Sequence, residues 1–532
     1  MRKVVILAAG TISGKLGFLR SRCPSPALIP INTRPLAAYL LDFYATQKDC
    51  CVQLVVNAEV AETIRAELGV PNGRYEVMLV ESTSGVVDSL AQAMKNNASA
   101  TGIIVNLVTT VPTQLVQTSE VLVSNQATRS SHWSGVILES KQPRFSFKCA
   151  PHPLPSHGFT GVFGCSSADL IGALESTEQR NDLLAVVEQL EKRQPLRYTP
   201  CEWIDCGHET NYYEAKAKLI CSRSFNQIHV SLGDGVLSKS SQDTEKLHRE
   251  VDYMEMLPPD IRVYFPRVLR QRSEIAALGV QMEYYGYPNV AEYFLYWELS
   301  ADNWRRLFAH LQSALRRFTA FPYSISYKAF EEFYLEKTVT RIDQFLQTLE
   351  PALRQALEEE TVINGMACQP FASLIEKLKD RIRTLYREAD FCVMHGDFCF
   401  NNILYDVPSG IVRLIDPRGS FGDRCVGIYG DRKYDLAKLK HSAEHGYDFL
   451  VNGLFTLRHD HHRFDYTFAS RESAALVADL SRELIAECGY DDGEITLLTS
   501  LLFLSMCPLH ADDFSRQVTM YVHGLRLLNL SL

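Results

Sequence analysis

The chain has 532 residues, with 54 Lys and Arg against 63 Asp and Glu, for a net charge of −9. That mild acidity excludes a protein built mainly to grip nucleic acid or an anionic membrane, which needs a basic face. The 46% hydrophobic and 10% aromatic content excludes a largely disordered chain, and at roughly 150 residues per domain the length allows three domains or two larger ones.

In chain order, residues 4–8 form a short β-rich run that flows into a Gly turn; its apolar stretch is too short for a signal segment. A helix is predicted over 35–44, a strand over 51–56, a helix over 59–68, a strand over 75–80, a helix over 86–94 and a strand over 103–107. Strands alternating with helices of this length predict an α/β, Rossmann-like domain with a mostly parallel sheet covered on both faces. Ligands of such sheets sit at the carboxyl ends of strands, so the loop from Gly10 to Lys15 is a natural site.

Near residue 222 the texture changes. Residues 225–232 and 236–240 alternate like strands around Gly233-Asp234-Gly235 and predict a hairpin. A helix is predicted over 244–257, stopped by Pro258-Pro259, and long helices over 302–318, 329–349, 371–389 and most of the last 60 residues. The reading is therefore a domain over 1–222 and a second over 223–532, the latter α+β and two-lobed, with a small strand-rich lobe to about 288 and a helical lobe from about 289. Residues 497–509 are apolar but carry Thr, Ser and Pro, and predict a buried helix rather than a membrane span. Fourteen cysteines without a CxxC pair read as reduced core thiols, and the expected location is the cytoplasm.

The strongest signal is His395-Gly396-Asp397, with Asn402 five residues after the Asp, and Asp416 closing the apolar run Val412-Arg413-Leu414-Ile415. Kinase-type phosphoryl transfer needs one carboxylate to orient the acceptor hydroxyl and take its proton, and an Asn and a second carboxylate to hold Mg²⁺ on the phosphates. The segment resembles the aminoglycoside-phosphotransferase and choline-kinase branch of the kinase-like fold. The resemblance implies ATP and Mg²⁺ as cofactors, Asp397 as catalytic base, Asn402 and Asp416 as metal ligands, and His395 as a brace of the loop. It also implies Lys239 as the phosphate-binding lysine, paired with Glu250 or Glu245, and residues 282–287 as the segment that meets adenine. Asp435 is an N-cap or a loop brace, and Asp431 is within possible reach of the substrate. His459, His461 and His462 form a patch that reads as a metal site or, with more weight, a solvated loop.

At the other end, Gly10-Thr11-Ile12-Ser13-Gly14-Lys15-Leu16 is one residue short of a P-loop, and Leu16 replaces its Ser/Thr. Val5-Ile6-Leu7-Ala8-Ala9-Gly10, Pro24-Ser25-Pro26 and Trp203-Ile204-Asp205-Cys206-Gly207 resemble the sugar-nucleotide nucleotidyltransferases. By that resemblance Gly10 and Lys15 belong to the nucleotide-binding loop and Asp205 to the metal site. Ser25 stands where the family has a lysine and Thr109 where it has its first metal aspartate, with Asp88 or Glu81 as replacements. The implied domain binds nucleotide or sugar phosphate with impaired transfer, since a lone carboxylate leaves the metal under-liganded.

The combined reading is an ATP-dependent small-molecule kinase fused to a nucleotidyltransferase-like domain, resembling fusions of bacterial surface-polysaccharide synthesis. Its partners would be a nucleoside triphosphate and a sugar, polyol or choline-like alcohol. The alternatives are a bifunctional kinase and nucleotidyltransferase, and a nucleotide-binding regulatory protein without turnover.

Overall fold

The computed structural model describes residues 2–10, 12, 23–47, 50–68, 75–81, 85–125, 133–138, 142–148, 155–220, 226–241, 244–269, 279–297 and 299–532. The chain divides into two compact units, Met1–Ile220 and Cys221–Leu532.

In the first unit the strand Arg2–Leu7 lies at the centre of the sheet, parallel to Cys50–Asn57 on one side and Gly102–Leu107 on the other. Glu76–Val80 extends the parallel set. Beyond Gly102–Leu107 the sheet turns antiparallel through His157–Cys165, which also pairs with Glu120–Ser124 and Gly135–Ile137. Val4, Val5, Ile6, Val105 and Phe163 are fully buried. Strands covered on both faces have no polar side to show, which is why they read as continuous apolar runs. The helix Val86–Lys95 buries Val87, Leu90, Ala93 and Met94 in the same core.

The second unit begins with the antiparallel strands Asn226–Ser231 and Val236–Ser241, joined by a turn that ends at Gly235 with φ of +66°. Val280–Glu283 adds a third strand, in register with Lys239 opposite Val280. The helix Thr244–Met256 follows the hairpin. The remainder is mainly helical, with short two-stranded pairings and a small sheet of Thr361–Ile363, Met366–Cys368, Phe455–Asp460 and Arg463–Phe468, which the sequence reading did not anticipate. The predicted helix over 329–349 is Tyr327–Glu331, a π-helical turn over Glu332–Glu336, and Lys337–Gln347. Asp492–His510 is long and apolar enough to cross a membrane by composition. Here Leu497 to Leu504 are buried between the helices Arg432–Ala443 and Phe514–Ser531, so it packs as the central helix of this unit. All the described cysteines are free.

Candidate functional site

The strand Phe391–Val393 pairs antiparallel with Tyr429–Asp431 and delivers the chain into the turn at His395-Gly396-Asp397. Gly396 has φ of +81°, and a Cβ there would lie 2.6 Å from the Arg418 Cβ, so only glycine fits. Both oxygens of the buried Asp435 accept from this turn: the His395 amide at 2.8 Å and the Gly396 amide at 2.7 Å. The His395 imidazole is fully buried and stacks on Phe265, with centroids 5.7 Å apart. Burial pushes it down to about 4, so it is a neutral ring whose Nδ1 accepts from the Asp397 amide at 3.2 Å. Tyr253 adds a hydrogen bond from its hydroxyl to the Met394 carbonyl at 2.9 Å. The turn is thus held at four successive residues, and His395 braces it.

Two groups grip the Asp397 carboxylate. The Asn402 amide donates to Oδ2 at 2.9 Å, and the Lys438 ammonium sits 2.9 Å from Oδ1. Burial alone would raise the Asp397 pKa, but the Lys438 charge outweighs it and holds the carboxyl well below the usual carboxylate range. Asn402 ends the short turn Phe400–Asn402, after which Ile403–Asp406 and Ile411–Leu414 form a hairpin. The hairpin returns the chain so that the Ile415 amide donates to the Asn402 carbonyl at 3.0 Å, placing Asp416 next to Asn402. Asp416 adopts φ of +53°, a conformation that costs a non-glycine residue about 1–3 kcal/mol. Its carboxylate receives Lys239 at 2.6 Å, and Lys239 also holds Glu250 at 2.7 Å. Lys239 and Glu250 are 7% and 4% exposed, and Asp416 is solvent-accessible. Desolvation opposes the Lys239 charge, yet Asp416 and Glu250 together raise its pKa above the ordinary lysine range.

The structure therefore brings Lys239, Glu250, Asn402, Asp397 and Asp416 together. Glu245, the alternative partner of Lys239, instead pairs with Arg249 on the helix surface. Asp435 is the loop brace; the helix cap is Asp431, which accepts from the Lys433 amide, is fully buried and binds Tyr334, so it does not reach a substrate. Lys438 is the functional neighbour that sequence reasoning missed. It lies three residues after Asp435, one turn further along the same helix, and that spacing was the available signal. The His459, His461 and His462 patch lies on an exposed β-hairpin, and among the described residues no three His, Cys, Asp or Glu side chains gather to hold a metal.

For Mg²⁺, the fit is chemical. Its preference is for oxygen donors, with one or two carboxylates completed by phosphates and water. Asn402 has its side-chain nitrogen committed to Asp397, and its side-chain oxygen Oδ1 accepts no hydrogen bond from the described residues. Asp416 supplies an accessible carboxylate beside it. The pair meets the requirement.

The first unit gives a different result. Asp205 is 5% exposed, and its oxygens accept from the Gly207 amide at 2.9 Å, the His208 Nδ1 at 2.6 Å and the Asn211 amide at 2.9 Å. Three donors on two oxygens fix the carboxylate while a lone pair on Oδ1 stays open; Thr109, whose carbonyl accepts from the Cys206 amide at 2.8 Å, has no carboxylate to share a metal with it. Ser25 is fully buried, donates to the Ala8 carbonyl at 3.0 Å and accepts from the Ala27 amide, so it braces the loop and does not replace a lysine. Asp88 lies 3.6 Å from Arg180. A Cβ added at Gly10 would meet no atom of the described residues within 4 Å; Lys15 lies outside the described residues.

A loop carboxylate, an Asn five residues on, a second carboxylate across a hairpin and a buried Lys–Glu pair define a kinase-like phosphotransferase domain. Residues 222–455 match the phosphotransferase enzyme family, so the C-terminal unit holds a domain of that family. Among solved structures, the N-terminal part is similar to a putative glucose-1-phosphate thymidylyltransferase from Bacillus anthracis, at 15% identity over 42% of this chain and 98% of that one, with a TM-score of 0.34. It is also similar to the inositol-1-phosphate CTP transferase from T. maritima, at 16% identity over 41% and 96% of the two chains, with a TM-score of 0.32. No curated protein matches the chain.

Proposed function

We propose that the C-terminal unit transfers the γ-phosphoryl group of ATP to a hydroxyl of a small alcohol such as a sugar or polyol. The observation that carries this reading is the Asp397 carboxylate held on one oxygen by Asn402 and on the other by Lys438, beside the Lys239–Glu250–Asp416 chain. Asp397 orients the acceptor hydroxyl and takes its proton as the O–P bond forms. Its depressed pKa makes it a weak base but keeps it ionised, which suits a reaction governed by positioning more than by proton abstraction. Lys239, fixed by Glu250, meets the nucleotide phosphates. A Mg²⁺ held by Asn402 and Asp416 would neutralise charge on those phosphates. The first unit is read as a nucleotide- or sugar-phosphate-binding scaffold with impaired transfer, because Thr109, paired through its backbone with the residue after Asp205, offers no second carboxylate for a metal. Placement in cytoplasmic synthesis of surface-polysaccharide precursors rests on the resemblance of the fusion alone.

The test is ADP formation by the full chain with ATP and Mg²⁺ against a panel of sugars, sugar derivatives and polyols, with the product identified by ³¹P NMR. Asp397→Asn is expected to lower kcat by about 10²-fold or more at unchanged circular dichroism, the scale of a lost general base. Normal turnover in that variant removes Asp397 from the mechanism.

A further inference from the structure

Beside Asp397 stands a group of cations short of carboxylates. The π-helical turn Glu332–Glu336, a feature often found at functional sites, leads directly into Lys337. The Lys337 Nζ lies 3.6 Å from the centroid of the Phe333 ring and 5.6 Å from that of Tyr434. The Arg418 guanidinium lies 5.2 Å and 5.7 Å from the same two rings and donates to the Tyr434 hydroxyl at 3.0 Å. Arg341, one turn beyond Lys337, donates to the Ser505 carbonyl at 3.1 Å. Lys438, one turn beyond Tyr434, completes the group at Asp397 Oδ1.

Among the described residues, Lys337, Arg341 and Arg418 form no ion pair, and Lys337 makes no hydrogen bond either. Burial first, then the charges of Arg418, Arg341 and Lys438, push the Lys337 ammonium toward its neutral form. Lys337 and Arg418 share two aromatic rings with Arg341 and Lys438 close by, and of the four only Lys438 has an ion pair among the described residues, with Asp397; like charges so placed repel one another, and a desolvated charge is costly unless it is paired. Ring faces hold the cations in place, but they do not neutralise them. The cluster also has a side: it begins at Asp397 Oδ1, whereas Asn402, and through it Asp416 and Lys239, attaches at Oδ2.

We propose that Lys337, Arg341 and Arg418 form an anion subsite for the acceptor, so that the alcohol phosphorylated at Asp397 also carries an oxyanion, either a phosphate monoester or a carboxylate. This deepens the kinase reading and rests on it. An Arg fork matches both oxyanions, and Lys supplies a point charge to either. A cationic alcohol of the choline type is repelled from the same place.

The test uses the full chain with ATP, Mg²⁺ and matched acceptors: glucose, glucose 6-phosphate, glucuronate, glycerol, glycerol 3-phosphate, glycerate and choline. The phosphate and carboxylate members separate the two oxyanions. In each matched set an anionic member is expected to exceed its neutral parent at least tenfold in kcat/KM. Lys337→Met is expected to raise the KM of that anion by about ten- to a hundredfold, the scale of one charge-assisted hydrogen bond, while leaving the KM of ATP unchanged; Lys337→Arg should restore most of the loss. Equal turnover of neutral or cationic acceptors overturns the subsite and leaves the kinase reading standing. A rise in the KM of ATP instead assigns the cluster to the nucleotide and overturns it too. Should no compound be phosphorylated, the kinase reading fails, and calorimetric titration of glucose 6-phosphate and glucuronate decides the subsite separately. Binding weakened in Lys337→Met sustains it, and no binding by the unmodified chain overturns it.

Discussion

Replacing Lys438 by Met removes the ammonium that sets the charge of Asp397. The two groups are 2.9 Å apart, which at an effective dielectric of about 20 is an attraction of roughly 6 kcal/mol. The Asp397 side chain is 39% exposed, so solvent screens part of this, and about 3–4 kcal/mol is the remaining estimate, or roughly 2–3 pKa units. The direction follows from the causes: burial raises the Asp397 pKa and Lys438 lowers it. In the unmodified protein Asp397 stays ionised across the working range, and the acid limb of kcat/KM should owe nothing to it. In Lys438→Met the largest opposing charge is gone while the Asn402 hydrogen bond remains, so the Asp397 pKa should rise and bring an acid limb up toward the working range. The assay is the pH profile of kcat/KM with the best acceptor of the panel. Addition of Asp397→Asn to Lys438→Met should abolish the new limb along with most of the turnover. A uniform fall in rate with an unmoved profile would refute the reasoning, since Lys438 would then act on the phosphate alone.

Lys239→Met should lower kcat/KM for ATP by about 10²-fold, the scale of losing a positioned charge on the transferring phosphates. Glu245→Gln should leave that constant unchanged, because Glu245 faces Arg249 on the surface; steady-state kinetics separate the two. Asp435→Asn should leave one of the His395 and Gly396 amides unpaired at a cost of about 1–3 kcal/mol, read by urea denaturation. Its pH dependence has an unusual sign. Burial, with the Asp397 and Asp431 charges adding to it, raises the folded Asp435 pKa to about 7 against two amide hydrogen bonds. The stability this group contributes is therefore full below the unfolded carboxyl value of about 3.9 and lost as pH rises through about 7; the stability curve of Asp435→Asn should lack that slope. Asp205→Asn should destabilise the first unit by about 1–3 kcal/mol, because one nitrogen replaces an acceptor among three donors. Neither the unmodified chain nor this variant should release pyrophosphate from CTP, UTP or GTP with sugar phosphates.

Much of the fold was legible because its signals are local. Apolar runs such as 103–107 mark strands buried on both faces, and the Gly233-Asp234-Gly235 turn marks a hairpin, each decided by neighbours in the chain. The strands Thr361–Ile363, Met366–Cys368, Phe455–Asp460 and Arg463–Phe468 were not legible. They are short or exposed, and the two hairpins join through a pairing whose partners lie about a hundred residues apart. His461 and His462, read as a solvated loop, are the exposed turn of the second of these hairpins, and His459 lies on its strand.

The candidate site divides along the same line. The order His395, Asp397, Asn402 and Asp416 belongs to the sequence, because one loop and one hairpin suffice to bring those groups together. Which acid Lys239 chooses, which of Asp431 and Asp435 caps the helix, and that Asp205 is engaged by its own turn were decided by three-dimensional packing. So were Lys438 at Asp397 and the cations around Phe333 and Tyr434. Charge at these places depends on what faces each group across a buried gap, and a linear sequence records neighbours along the chain but not across that gap.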